Sequence, residues 1–225
     1  MREVLLMWRN KRMIALTLAI AIIYTAVLVP FKNLALLPGF TSLRPANALP
    51  VVFGLMFGPA AAWGSMLGNL AGDFLGGTFS AASYPGAVAN FFTAFIVYRL
   101  WGNLGGLSTG KLPDLATSDQ FPEYLVVSFT AGSLTAAIIG LGTEITGLIP
   151  FAIIVVTIVF NNTLAELFLG PPLLYLLYPR AKSRGLLYQQ VLDDRLLPSG
   201  NRFQRPAAVA IVLLSIGWVV FGSSY

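Results

Sequence analysis

Long stretches without any charge dominate this chain. Met13 to Val29, Tyr124 to Leu141, Pro150 to Ala165 and Pro206 to Gly222 contain no Asp, Glu, Lys or Arg. About 20 mostly apolar residues carry a helix across a hydrocarbon core about 30 Å thick. Buried in lipid, the backbone must satisfy its own hydrogen bonds, which helices do. Composition agrees: 56% of residues are hydrophobic, only 10% are charged and the mean hydropathy is +0.77, whereas soluble domains carry about 25% charged residues. The expected fold is an all-α integral membrane protein, a bundle of six short transmembrane helices plus a seventh, C-terminal span.

The spans fall at about 13–29, 46–57, 60–78, 86–101, 124–141, 150–178 and 206–222. Residues 1–178 form the six-span membrane domain, 179–205 a basic cytoplasmic interfacial linker, and 206–225 the additional C-terminal transmembrane helix. The first span should end at Pro30. The sixth is long enough to be tilted or broken at Pro171-Pro172, because proline removes a helical donor. It is also expected that the first run is retained and is not a cleaved signal. Charge sets the orientation. Twelve of the 14 Lys and Arg residues lie in the N-terminal segment, the 99–123 loop and 179–205; only Lys32 and Arg44 lie on the other side. Basic residues favour the cytoplasmic side, so the N-terminus is placed in the cytoplasm of a multi-pass cell (inner) membrane protein.

The stretch from Arg44 to Gly77 folds as a hairpin about Gly58-Pro59. Gly64, Gly68, Gly72 and Gly76 stand four apart, on one helical face, making a stripe where another backbone can approach closely. Asn69 and Asp73 sit beside it. The preceding loop, 31–45, is apolar for an exposed segment, with Leu34, Leu36, Leu37 and Phe40, and is expected to fold back as a lid.

Polar groups at membrane depth are few: Asn69, Asp73, Asn90, Glu144, Asn161, Asn162 and Glu166, with Arg44 and Asn47 at the outer mouth. Each asparagine serves equally well as helix–helix glue, but intramembrane carboxylates point to function. Arg44 is the natural partner of Asp73 or Glu144. Amides offer both donors and acceptors, which suits a neutral, heteroatom-rich small molecule. Tyr84, Phe91 and Phe92 offer rings to stack against it. The expected substrate-binding set is therefore Arg44, Asn47, Asp73, Tyr84, Asn90, Glu144, Asn161 and Asn162.

With no cysteine and no histidine, the chain has no disulfide, thiol nucleophile, Cys/His zinc site or Ser-His-Asp triad. No catalytic residue, metal or cofactor is expected. The glycines lack the lysine of a phosphate-binding loop, so no energy source is visible, and no nucleic-acid partner is implied.

These residues resemble the S component of energy-coupling factor (ECF) vitamin and micronutrient transporters. The resemblance rests on RPANALPVVFGLMFGPAAAWGSMLGNLAGD, on the small residues Ala15 and Ala19 four apart in the first span, and on short spans with an apolar first outer loop. It implies a substrate-capture subunit of an ECF-type ABC importer that takes a vitamin or related micronutrient from outside. It further implies delivery with a membrane-embedded T component and two cytoplasmic ATPases. Ala15 and Ala19 would match the T-component docking patch, and the loop around Arg44 and Asn47 the gate. The pattern of Arg44, Ala48, Leu49 and Pro50 looks most like members assigned to queuosine precursors. Two other readings stand beside it: an intramembrane acid–base enzyme acting on lipid through Asp73, Glu144 or Glu166, and a proton-coupled secondary transporter.

Overall fold

The structure, a computed structural model, describes residues 2–31, 44–197 and 204–222. The expected lid at 31–45 falls, apart from its ends, outside these residues. So do residues 198–203 and the last three residues.

The described chain is helical. A short α1 (Arg2–Leu6) precedes α2 (Lys11–Phe31). A 3-10 turn (Pro45–Ala48) leads into α3 (Leu49–Phe57), then α4 (Pro59–Leu75) and α5 (Ser83–Leu100). There follow α6 (Phe121–Ile145), α7 (Phe151–Ser183), a single turn α8 (Tyr188–Val191) and α9 (Gln204–Gly222). Among the described residues, three segments are long and apolar enough to cross a membrane: Lys11–Phe31, Ser118–Ile145 and Phe151–Val191. Pro45–Phe57 and Arg205–Phe221 are shorter apolar helices.

The first span does not end at Pro30, and of the two alternatives for the sixth, tilted or broken, the break at Pro171-Pro172 is not seen. α2 continues one residue past Pro30, and α7 runs unbroken through Pro171, Pro172 and Pro179. In a membrane bundle the carbonyls freed by proline can be met by neighbouring side chains. The carbonyls that Pro171 and Pro172 leave without a helical N–H are those of Leu167 and Phe168; the Tyr124 hydroxyl on α6 donates next to them, to the Glu166 carbonyl at 2.6 Å. Gly170 makes room for that tyrosine, since a Cβ there would strike its hydroxyl.

The glycine stripe zips α4 onto α2. A Cβ on Gly64 would meet Ile20 and the Thr17 carbonyl at 2.7–2.9 Å, and one on Gly68 would meet Tyr24 and the Ala21 carbonyl at 2.7–2.9 Å. Gly72 faces Leu28. The fourth glycine, Gly76, falls one residue beyond the helix and caps it, its N–H donating to the Gly72 carbonyl. The turn between α3 and α4 depends on Gly58, whose φ of +52° disfavours any side chain.

The end of the bundle that carries the basic residues is densely tied. Trp63 Nε1 donates to the Val4 carbonyl at 3.0 Å, and Trp8 packs edge-on to Trp63 with ring centroids 5.6 Å apart. Glu3, buried, pairs with Arg99 at 3.5 Å. Burial works against ionisation of Glu3, but its hydrogen bonds and the Arg99 guanidinium hold its carboxyl below the usual range. The 186–192 segment tucks beneath the α3–α4 turn. Tyr188 lies against Gly58, Leu187, Val191 and Leu192 are buried, and Asn10 Nδ2 donates to the Val191 carbonyl at 2.9 Å.

Candidate functional site

Away from the basic end, the bundle gathers its polar side chains in two groups. The first joins α2, α4 and α5. The Tyr24 hydroxyl, fully buried, donates to Asn90 Oδ1 at 3.0 Å, and Asn90 Nδ2 donates to the Gly86 carbonyl one turn earlier at 2.9 Å. Arg44 and Asp73 both lie within electrostatic reach of the Tyr24 phenol. Asn69 is buried here, and its side-chain oxygen, beside Gly86, has no hydrogen-bond partner. The close approach of α2 to α4 along the glycines is what brings Tyr24 into this group.

The second group joins the 3-10 turn to α7 and α6. Asn47 Nδ2 donates to Asn162 Oδ1 at 2.6 Å. Pro45 opens the turn, as a proline suits the first turn of a helix, and the turn sets Asn47 against α7 while leaving Arg44 exposed. One helical turn along α7 from Asn162 is Glu166, wholly buried with neither carboxyl oxygen partnered. Ser128 Oγ and Thr163 Oγ1 are likewise buried without partners. Between α5 and α6 the Thr93 and Thr135 hydroxyls meet at 2.5 Å.

The expected site residues divide accordingly. Asn47 and Asn162 are bonded to each other, Asn90 is bonded to Tyr24, and Asp73 and Arg44 lie within electrostatic reach of that phenol. Asn161 is half-buried on a neighbouring face of α7. Tyr84 is 61% exposed, its ring 5.7 Å from that of Phe79. Glu144 lies exposed at the far end of α6, where its carboxylate accepts the Phe151 N–H at 2.5 Å and so caps the start of α7. The docking candidates Ala15 and Ala19 are both exposed on α2, beside Leu18 and Ile22.

Tyr24 was not singled out in the sequence. A tyrosine within an apolar run reads as core, and only its position opposite Gly68 reveals the hydrogen bond. Glu123 was also passed over, as one charge in a polar loop. It is fully buried and holds that loop: its carboxylate accepts from Gly102 N at 2.6 Å, Ser108 Oγ at 2.7 Å and Thr109 N at 3.3 Å. A groove of about 480 Å³ between residues 115–118 and the proline pair of α7 belongs to this basic end and lies apart from the amide groups. Among the described residues, no three acidic, His or Cys side chains gather at one point as a metal site would need.

No curated protein and no solved structure matches the chain. A family model described as QueT transporter matches residues 14–179, from near the start of α2 to the last turns of α7, and takes in both polar groups. The match covers most of the chain and points to a transporter rather than an enzyme. The chain therefore belongs to the QueT transporter family, whose members are ECF transporter S components.

Proposed function

We propose that this chain is the substrate-capture subunit of an ECF-type importer, taking a small organic micronutrient, a queuosine precursor, from outside and delivering it with a T component and two cytoplasmic ATPases. In this reading the bundle crosses the membrane six times, α9 adds a seventh crossing, and the basic end faces the cytoplasm, as its lysines and arginines favour. The substrate lies in the outer half, contacted by residues among Arg44, Asn47, Asp73, Tyr84, Asn90, Glu144, Asn161 and Asn162. The exposed small residues Ala15 and Ala19 form the surface on which the T component docks.

The observation that carries the reading is the Asn47–Asn162 hydrogen bond. It ties the turn at the base of the first outer loop to the polar face of α7, inside the region of the family match. A ligand that exchanges this amide pair for its own contacts couples occupancy to the position of that loop.

Purifying the full chain from cells that also produce the T component and ATPases tests the proposal. The expected result is an assembly of all four chains and, on denaturing the isolated subunit, release of one small organic molecule seen by mass spectrometry. Replacing Ala15 and Ala19 by Trp should abolish assembly and leave the bound molecule in place. A subunit that carries no ligand and never associates with a T component overturns the reading.

A further inference from the structure

Glu166 is the group that packing alone explains least. It stands midway along α7, 0% exposed, and both its carboxyl oxygens lack hydrogen-bond partners. The ion pairs formed between described residues, Glu3–Arg99 and Lys111–Asp119, are both at the basic end. The nearby hydroxyl of Tyr124 is already committed, since it donates to the backbone carbonyl of Glu166 and not to its side chain.

Such a carboxyl has no stable condition in a dry interior. Ionised, it is a buried charge without a partner, which costs several kcal/mol. Protonated, it still leaves an O–H donor and a carbonyl acceptor unmatched. Its surroundings are built to receive something polar. Asn162, one turn away on the same face, holds Asn47 at 2.6 Å, and two further buried hydroxyls without partners, Ser128 and Thr163, face the same α6–α7 seam. Gly132 lets α6 approach α7 closely here, since a Cβ on it would come within 2.9 Å of Thr163 Oγ1.

We infer that Glu166 is the deepest contact of the substrate site and that its two carboxyl oxygens accept a pair of adjacent N–H groups on one edge of a planar ligand. Two parallel N–H···O bonds to one carboxylate are a strong and geometrically selective pairing. The ligand class that presents such an edge without a full charge is a heterocycle with a ring N–H beside an exocyclic amine, as in a 2-aminopyrimidinone ring. The Asn47–Asn162 bond lies one turn nearer the end of the bundle that carries Arg44, so the ligand reaches Glu166 only after that amide pair parts. The inference rests on the substrate-capture reading proposed above and adds the chemistry at the bottom of its site.

The test compares 7-deazaguanine with 7-deazahypoxanthine, which lacks only the 2-amino group, by equilibrium binding to the purified full chain. Wild-type protein should prefer 7-deazaguanine by at least about tenfold, the loss expected when one hydrogen bond to a charged group disappears. Glu166→Gln replaces one acceptor by a donor and should bind 7-deazaguanine at least about tenfold more weakly, with the preference between the two bases gone, while its melting temperature in detergent stays at the wild-type value or above. Glu166→Asp should bind more weakly yet keep the preference. Equal binding of both bases by wild type, or unchanged affinity and preference in Glu166→Gln, overturns the role of Glu166 and leaves the capture reading standing. Failure of wild-type protein to bind either base overturns the substrate reading and this assignment together.

Discussion

Glu123 near the start of α6 and Glu166 in the middle of α7 are both fully buried carboxylates on neighbouring helices. Glu123 accepts three hydrogen bonds and gathers the 102–109 backbone around itself. Glu166 accepts none. A buried charge whose acceptor sites are filled fixes structure, since removing it strands every donor it served. A buried carboxyl with nothing to accept contributes no such fixing, and its retention in the interior calls for a partner that comes and goes. The contrast is one between two carboxylates and not between two ends of the bundle: buried polar atoms without partners occur at the basic end, at Tyr178 and Gln189, as well as at Asn69, Ser128, Thr163 and Glu166.

The sharpest way to break this contrast is to remove each carboxylate and compare stability. Glu123→Ala should cost about 3 kcal/mol, because donors to a charged acceptor are left buried and unmet. Thermal unfolding in detergent should show the loss, together with faster proteolysis of the 101–120 loop. Glu166→Gln, by contrast, should leave unfolding unchanged or later. If the two variants lose stability equally, the distinction between a structural and a receptive carboxylate is wrong.

A smaller effect is expected where α2 meets α4. Gly68→Val places a branched side chain against Tyr24 and the Ala21 carbonyl, both already within 2.9 Å of the position of its Cβ. Overpacking of this kind costs about 2 kcal/mol. Because Tyr24 must shift, the variant should also weaken ligand binding through the Tyr24–Asn90 bond. Loss of stability with unimpaired binding would separate the zipper from the site.

The smallest effect belongs to Glu3, at the basic end. Glu3→Gln should lower stability by about 1.5 kcal/mol, the scale of one hydrogen-bonded charge. Its pH dependence has a definite sign. The folded carboxyl is held below its ordinary value of 4.5, so its contribution is complete above that value and disappears as the pH falls through it toward the folded one. Unfolding scans of wild type and Glu3→Gln should therefore differ at neutral pH and converge in acid. Curves that stay parallel in acid would remove Glu3 from the contrast.

The sequence disclosed what depends on local spacing. Charge-free runs marked the long helices, and glycines four apart marked the face of α4 that meets α2 along Gly64, Gly68 and Gly72. It also brought Asn47 and Asn162 into one candidate set before their contact was known. It failed where the deciding partner is remote. Pro171 and Pro172 left a tilt or a break open, because a lone helix loses donors there; the packed helix continues through both. Spacing put Glu144 in a short outer turn, and what it did not disclose is that the carboxylate there accepts the Phe151 N–H, a contact set by the length of the α6–α7 turn. Glu123 and Tyr24 gave no local signal, since their roles exist only once the 102–109 loop and α4 are in place.

The continuity of α7 has a mechanical meaning. A 33-residue helix is about 50 Å long, and one with no break at its prolines would tilt as a single rod. Asn162 is fixed to that rod, and so are Tyr178 and Arg180 near its basic end. A tilt of about 10° displaces one end against the other by roughly 9 Å. A contact made or lost at the amide pair is thereby registered on the far side of the bundle, with no chain of intermediate side chains needed to relay it.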